Sequence, residues 1–213
     1  MSSALFPISK LLADAIPQMV VVDVGALPHG DAVYAPLMNQ GLCRVVGFEP
    51  ADGACDALRE EFGEPHAFLP HVIGDGSEGT LKLTRSPLTS SLYEPNHALL
   101  QAFQQLPGLC EVVERVPVQT RRLDDIPEVQ GASFLKLDVQ GAELDVIHGA
   151  TEVLKSALVV QTEVEFLPLY EGQPLFAEID QAMRERGFVL HRLLGAGTRA
   201  FAPMLVDGDP NRG

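Results

Sequence analysis

The chain has 213 residues, 46% of them hydrophobic, enough for one well-buried domain and too few for two of ordinary size. A net charge of −14 argues against a nucleic-acid backbone or an anionic membrane surface as partner, since both demand an excess of Lys and Arg. Three cysteines, Cys43, Cys55 and Cys110, without a Cys-x-x-Cys pair, argue against a disulfide framework or a zinc knuckle.

Leu5, Ile8, Leu11, Leu12 and Ala15 recur at helical spacing and predict a short covering helix within residues 1–18. The apolar run from Met19 to Gly25, opened by Pro17, predicts a first strand buried on both faces of a parallel sheet. A helix over residues 32–40, closed by Gly41, leads to a second strand over 44–49, which makes a right-handed βαβ unit. A second helix over 53–62 and a third strand over 66–73 follow, the strand ending at Gly74-Asp75-Gly76.

Residues 74–131 are too many for an ordinary crossover. Alternation at 80–84 and 112–119, with a helix over 96–105 between them, predicts a β-hairpin-like insertion carrying a lid loop at 86–93. The chain then reaches its most informative stretch, Phe134 to Ala150. It begins as an apolar strand, ends at Asp138, turns through Gly141 and becomes helical, with Val146, Ile147, Ala150, Val153 and Leu154 on one face and Glu143 joining it. Lys136, inside that strand, is expected to pair with an acid. A fifth strand over 158–166, a helix over 175–186 and a closing pair of strands at 188–194 and 198–206 complete the order, and 207–213 reads as a frayed tail. The expectation is a single α/β domain with a doubly wound, mostly parallel sheet. No apolar run is long enough to span a bilayer, and Lys10 and Asp14 interrupt any signal-peptide pattern, so a cytoplasmic protein is expected.

In open α/β sheets ligands sit beyond the carboxyl ends of the strands. The first βα turn, Asp23 to Gly30, carries glycine but does not spell Gly-x-Gly-x-x-Gly, and no Lys-Ser or Lys-Thr pair follows it. Asp23 places negative charge where a phosphate would sit, which suits a cationic head instead. Glu49, ending the second strand, is placed to accept from ribose hydroxyls, and Asp75, ending the third, to meet the exocyclic amine of a base. Together these acids describe a nucleoside with a cationic head and no phosphate, the chemistry of S-adenosylmethionine.

The segments Val22-Asp23-Val24-Gly25-Ala26, Gly47-Phe48-Glu49-Pro50, Arg122-Leu123-Asp124-Asp125 and Phe134-Leu135-Lys136-Leu137-Asp138-Val139-Gln140-Gly141-Ala142-Glu143-Leu144 resemble the FkbM-type methyltransferases, over about residues 20–194. The resemblance implies a Rossmann-like class I fold with a seven-stranded sheet whose last strand is antiparallel, S-adenosylmethionine as methyl donor, and a hydroxylated small molecule (a sugar, glycan or secondary metabolite) as acceptor. Carried onto this chain, it gives Asp23, Gly25, Ala26, Gly30, Glu49, Pro50, Asp75 and Asp138 as the donor-binding set. Asp138 is also the first candidate for the base that takes a proton from the acceptor, with Glu143 and Glu163 as further catalytic candidates and Glu165 and His97 behind them. Phe166, Tyr170 and Phe176 either line an acceptor pocket or pack their loop down, and no metal is expected. The turn from Gly25 to Gly30 is one residue longer than the family's usual Gly-Ala-x-x-Gly, which keeps open a non-catalytic binding module on the same fold. An NAD-dependent oxidoreductase is the other alternative, without its glycine fingerprint.

Overall fold

Seven strands form among the described residues: β1 (Met19–Val24), β2 (Cys43–Phe48), β3 (Ala67–Leu69), β4 (Glu78–Thr84), β5 (Val112–Gln119), β6 (Ala132–Leu137) and β7 (Val159–Thr162). They are seen in a computed structural model that describes residues 17–27, 32–51, 53–195, 197–205 and 207–209. The expected covering helix up to residue 16, the stretch 28–31 with Gly30, and residues 210–213 of the tail lie outside the described residues.

Continuous apolar runs become strands covered on both sides. In β1 every residue from Val21 to Val24 is buried, with Val22 and Val24 in one core cluster and Val21 in another. The main sheet has the order β3-β2-β1-β6-β7, and each pairing is parallel. The chain steps outward from β1 to β3, then returns to the other side of β1 with β6. The carboxyl ends of β1 and β6 therefore flank the point where strand order reverses, where open sheets receive ligands.

Six α-helices accompany these strands among the described residues: α1 (Ala35–Met38), α2 (Ala54–Phe62), α3 (His97–Leu100), α4 (Leu106–Leu109), α5 (Glu143–His148) and α6 (Phe176–Glu185). Cys55 and Leu58 of α2 pack with Val21, Val45 and Phe68 on one face; Val146 and Ile147 of α5 and Ile179 of α6 pack with Val22, Phe48 and Leu135 on the other. The sheet is thus wound on both sides. The expected stripe of Val146, Ile147, Ala150, Val153 and Leu154 is buried throughout. α5 itself stops at Gly149, where a Cβ would collide with the Gly74 carbonyl, so this close crossing is open only to glycine.

β4 and β5 pair antiparallel in a separate two-stranded sheet, as their alternation predicts. Between them, Leu100, Phe103, Leu106 and Cys110 make a small core of their own. The helix expected over 96–105 is split there: Gln105 takes φ 64°, ahead of Pro107 in the first turn of α4.

The expected seven-stranded main sheet has five strands among the described residues, and the closing pair is the difference. Residues 188–194 and the described residues from 198 to 205 form no named strand. The second segment instead crosses the inserted core: Gln104 N donates to the Ala200 carbonyl at 2.9 Å, Ala202 N to the Ala102 carbonyl at 2.8 Å, and Phe201 stacks on Phe103. Ala200 is buried there, while Phe201, Met204 and Leu205 stay more than half exposed. The third and fifth strands are also shorter than expected, and Ile73, beyond the end of β3, bridges Arg121 instead.

Candidate functional site

Strand register brings the first charges together. Asp23 of β1 lies directly beside Lys136 of β6, and Lys136 Nζ stands 2.9 Å from Asp23 Oδ1 and 3.6 Å from Asp138 Oδ2. The second oxygen of Asp23 accepts from the Tyr34 hydroxyl at 2.6 Å, and burial followed by this carboxylate pushes the phenol's pKa upward. Asp23 is 3% exposed and has both oxygens engaged, so it braces the turn from behind rather than presenting a free carboxylate. A lysine and an aspartate each inside an apolar run are the sequence signal for that pair. Tyr34, set in no motif, gave none.

The turn after β1 is stitched down on both sides. The amides of Gly25 and Ala26 both donate to the Phe48 carbonyl at 3.0 Å, and Asp138 N donates to the Val24 carbonyl at 3.1 Å. Gly25 takes φ 86°, and a Cβ on it would collide with the Asp138 carbonyl. This glycine is what lets the turns after β1 and β6 touch. Glu49, half-buried at the end of β2, accepts from Ala51 N through Oε1 at 2.8 Å. No hydrogen bond occupies its Oε2 among the described residues. Burial, and after it the charge of Asp23, raises its pKa, while the Ala51 amide pulls the other way.

Beyond β6 the carboxylates gather. Glu143, 2% exposed, folds back to accept from Val139 N at 2.8 Å and Gly141 N at 3.0 Å, and burial with the nearby Glu165 pushes its pKa up to about 7. Gln140 Nε2 donates to Asp138 Oδ1 at 2.9 Å and to Glu163 Oε2 at 2.7 Å. Glu163 and Asp138 are thus held by one amide, and the charge of Asp138 bears on Glu163. Its pKa is raised, first by burial of the carboxylate and then by Asp138, against the pull of the Gln140 amide. Glu165 is pushed up to about 7 by burial and then by Glu163; the Gln173 amide lies close enough to temper this without completing a hydrogen bond.

The insertion closes this side. Ser91 Oγ donates to the Gln140 carbonyl at 2.6 Å, and the Tyr170 hydroxyl donates to the Thr89 carbonyl at 2.9 Å while standing 3.5 Å from Gln140 Oε1. Tyr170 is buried, whereas Phe166 and Phe176 stack on each other with Phe166 63% exposed. His97 lies exposed in the insertion, at the start of α3. Among the described residues no group of three or more His, Cys, Asp or Glu side chains has the geometry to hold a metal ion.

Asp75 belongs to a second group. It accepts from Ser77 N at 2.9 Å, which lowers its pKa, and it lines a cavity of about 160 Å³ with Tyr93 and Asp145, themselves hydrogen-bonded at 3.0 Å. The motif acid Asp124 is structural: it pairs with Arg122 and accepts from Glu152 N and Val153 N, fastening the chain ahead of β6 to the end of the α5 region.

These features define an open α/β protein whose candidate site lies at the switch point of a parallel sheet and is lined by carboxylates. Its family follows from comparison with known proteins. The chain belongs to the FkbM methyltransferase family: the model of the Methyltransferase FkbM domain matches residues 23–190. It is also 31% identical over 179 residues to 2-O-methyltransferase NoeI of Sinorhizobium fredii (strain NBRC 101917 / NGR234), covering 77% of this chain and 71% of that one. No solved structure matches it. No helix among the described residues is long and apolar enough to cross a membrane.

Proposed function

We propose that this protein transfers a methyl group from S-adenosylmethionine to a hydroxyl of a small, uncharged, hydroxylated acceptor such as a sugar, a glycan or a secondary metabolite. The observation that carries this reading is the Asp138–Glu163 carboxyl pair, set where the β1 and β6 turns touch and bridged by one amide. The residues present fit the donor. Asp23 and Asp138 share one ammonium, Lys136, which leaves the edge net negative toward a cation, and Glu49 Oε2 is uncommitted at the end of β2. Glu49 would hold the ribose hydroxyls, with Pro50 beside it, and the Gly25–Ala26 turn and Asp138 would face the cationic end. Asp75, grouped with Tyr93 and Asp145, is left out of this donor set. When bound, the donor supplies an electrophilic methyl group on a sulfonium.

The chain's own residues do the rest. The acceptor hydroxyl must lose its proton as it attacks, and Asp138 is the group that takes it; a positioned base contributes ~10²- to 10⁴-fold. Glu163 shares the Gln140 amide with Asp138, and Glu143 fixes the turn that presents Asp138 through two backbone amides. The relative's printed name, a 2-O-methyltransferase, is consistent with an oxygen acceptor. With carboxylates concentrated on the acceptor side, a phosphorylated or carboxylated acceptor would meet repulsion.

Calorimetric titration with S-adenosylhomocysteine tests the donor half. Micromolar binding, about 8 kcal/mol, is expected. The absence of binding to either it or S-adenosylmethionine would overturn the proposal and leave a binding module in its place.

A further inference from the structure

Gln140 sits in the turn between β6 and α5 with φ 54°, a left-handed conformation that residues other than glycine keep only where their surroundings hold them. Here the surroundings are specific. Ser91 Oγ holds its carbonyl at 2.6 Å. A side-chain amide nitrogen carries two hydrogens, and each of these goes to a different carboxylate, Asp138 at 2.9 Å and Glu163 at 2.7 Å. The amide oxygen faces the Tyr170 hydroxyl at 3.5 Å, and that hydroxyl also holds the Thr89 carbonyl.

We propose that Gln140 is the positioning residue of the reaction: it clamps Asp138 and Glu163 in one arrangement and couples them, through Ser91 and Tyr170, to the seating of the 86–93 loop. The inference rests on the methyl-transfer reading and adds to it the group through which loop closure reaches the base. A loop that lifts withdraws Ser91 from the Gln140 carbonyl, and the left-handed turn that aims the amide loses its support.

The charged and titratable groups facing this pair are Lys136 from β6, Glu143 from α5, Glu165 from the segment after β7 and the Tyr170 hydroxyl. Among them Gln140 gives hydrogen bonds to both carboxylates and carries no charge. A donor to a carboxylate favours its ionised form, so Gln140 works against the burial and like charge that hold the proton on Glu163.

The test is a carboxyl-carbon NMR titration of the full chain, with Glu163 assigned from its missing signal in Glu163→Gln. Gln140→Met, which keeps the length and removes both donors, is expected to raise the Glu163 midpoint by about one pH unit, tenfold in proton affinity. Gln140→Glu should raise it further. Affinity for S-adenosylhomocysteine should stay within about twofold in both variants, since Gln140 has no place in the donor set. Ser91→Ala, which leaves the amide in place and frees its backbone, should shift the midpoint in the same direction by less. An unmoved midpoint in folded Gln140→Met overturns the clamp, and should that variant not fold, an unmoved midpoint in Ser91→Ala does so. Failure of the wild type to bind S-adenosylhomocysteine would remove the methyl-transfer reading instead, a result separate from the titration.

Discussion

Two clusters of charge lie within a few residues of each other at the carboxyl edge of the sheet, and they are built differently. Asp23 is satisfied by an ammonium and a phenol in the core between β1 and β6, with 5% of its side chain exposed. Glu143 is met by the amides of Val139 and Gly141, Glu163 by that of Gln140, and Asp138 by Gln140 and, at 3.6 Å, by the same ammonium, while each of Glu143, Glu163 and Glu165 has another acid's charge beside it. A buried acid opposite a full positive charge, with both oxygens engaged, serves as structure. Burial and the neighbouring acids raise the pKa values of Glu143, Glu163 and Glu165, a setting suited to proton transfer from a hydroxyl.

The comparison breaks most sharply under substitution. Asp138→Asn should lower methyl transfer by ~10²- to 10⁴-fold, while calorimetry finds affinity for S-adenosylhomocysteine changed only a few-fold. On the structural side, Lys136→Met leaves Asp23 buried without its counter-charge and should cost about 3–5 kcal/mol in a denaturant melt. Adding Asp23→Asn to it should recover a good part of that loss, a coupling that Glu143 and Glu165, which make no ion pair with Lys136 among the described residues, should not show with Lys136→Met.

Much of the structural cluster was legible in the sequence. Asp23 and Lys136 each interrupt an apolar run in neighbouring central strands, and parallel register leaves them little choice but each other. The parallel sheet, the hairpin and the carboxylates beyond β6 were legible for the same reason, that period and punctuation are local. What joins the acceptor-side cluster is not local. Gln140 reaches Glu163 across 23 positions and Tyr170 reaches Thr89 across 81, and side chains so far apart leave no spacing to recognise. The closing strands expected at 188–194 and 198–206 misled for a related reason: a short run with apolar residues does not say which partner receives it, and here the described part of the second crosses the inserted core. Asp75, read as facing the donor's base, carries turn chemistry with Ser77 and faces Tyr93 and Asp145.

Smaller effects sharpen the same contrast. Glu49→Ala should weaken S-adenosylhomocysteine binding by about 10- to 100-fold, the loss of hydrogen bonds to a charged acceptor, with the melting temperature little changed. Smallest is a pH effect. Glu143 and Glu165 have folded pKa values raised to about 7, so the folded state holds their protons more tightly than the unfolded chain. Their contribution to stability is therefore full below the ordinary glutamate range and is lost as pH rises through about 7. Melting temperature should fall over that window, and Glu165→Gln should flatten part of the slope.

The central claim is that the acids beyond β6 take a proton from a hydroxyl while a donor sits at the edge beside them. It is tested most directly by incubating the protein with S-adenosylmethionine labelled in its methyl group and a panel of neutral glycosides, beside the Asp138→Asn variant. The account predicts label in an alkali-stable methyl ether for at least one glycoside, and a loss of at least a hundredfold in Asp138→Asn with affinity for S-adenosylhomocysteine changed only a few-fold. Transfer at an undiminished rate in that variant, or donor binding with no label reaching any hydroxyl of the panel, would contradict it.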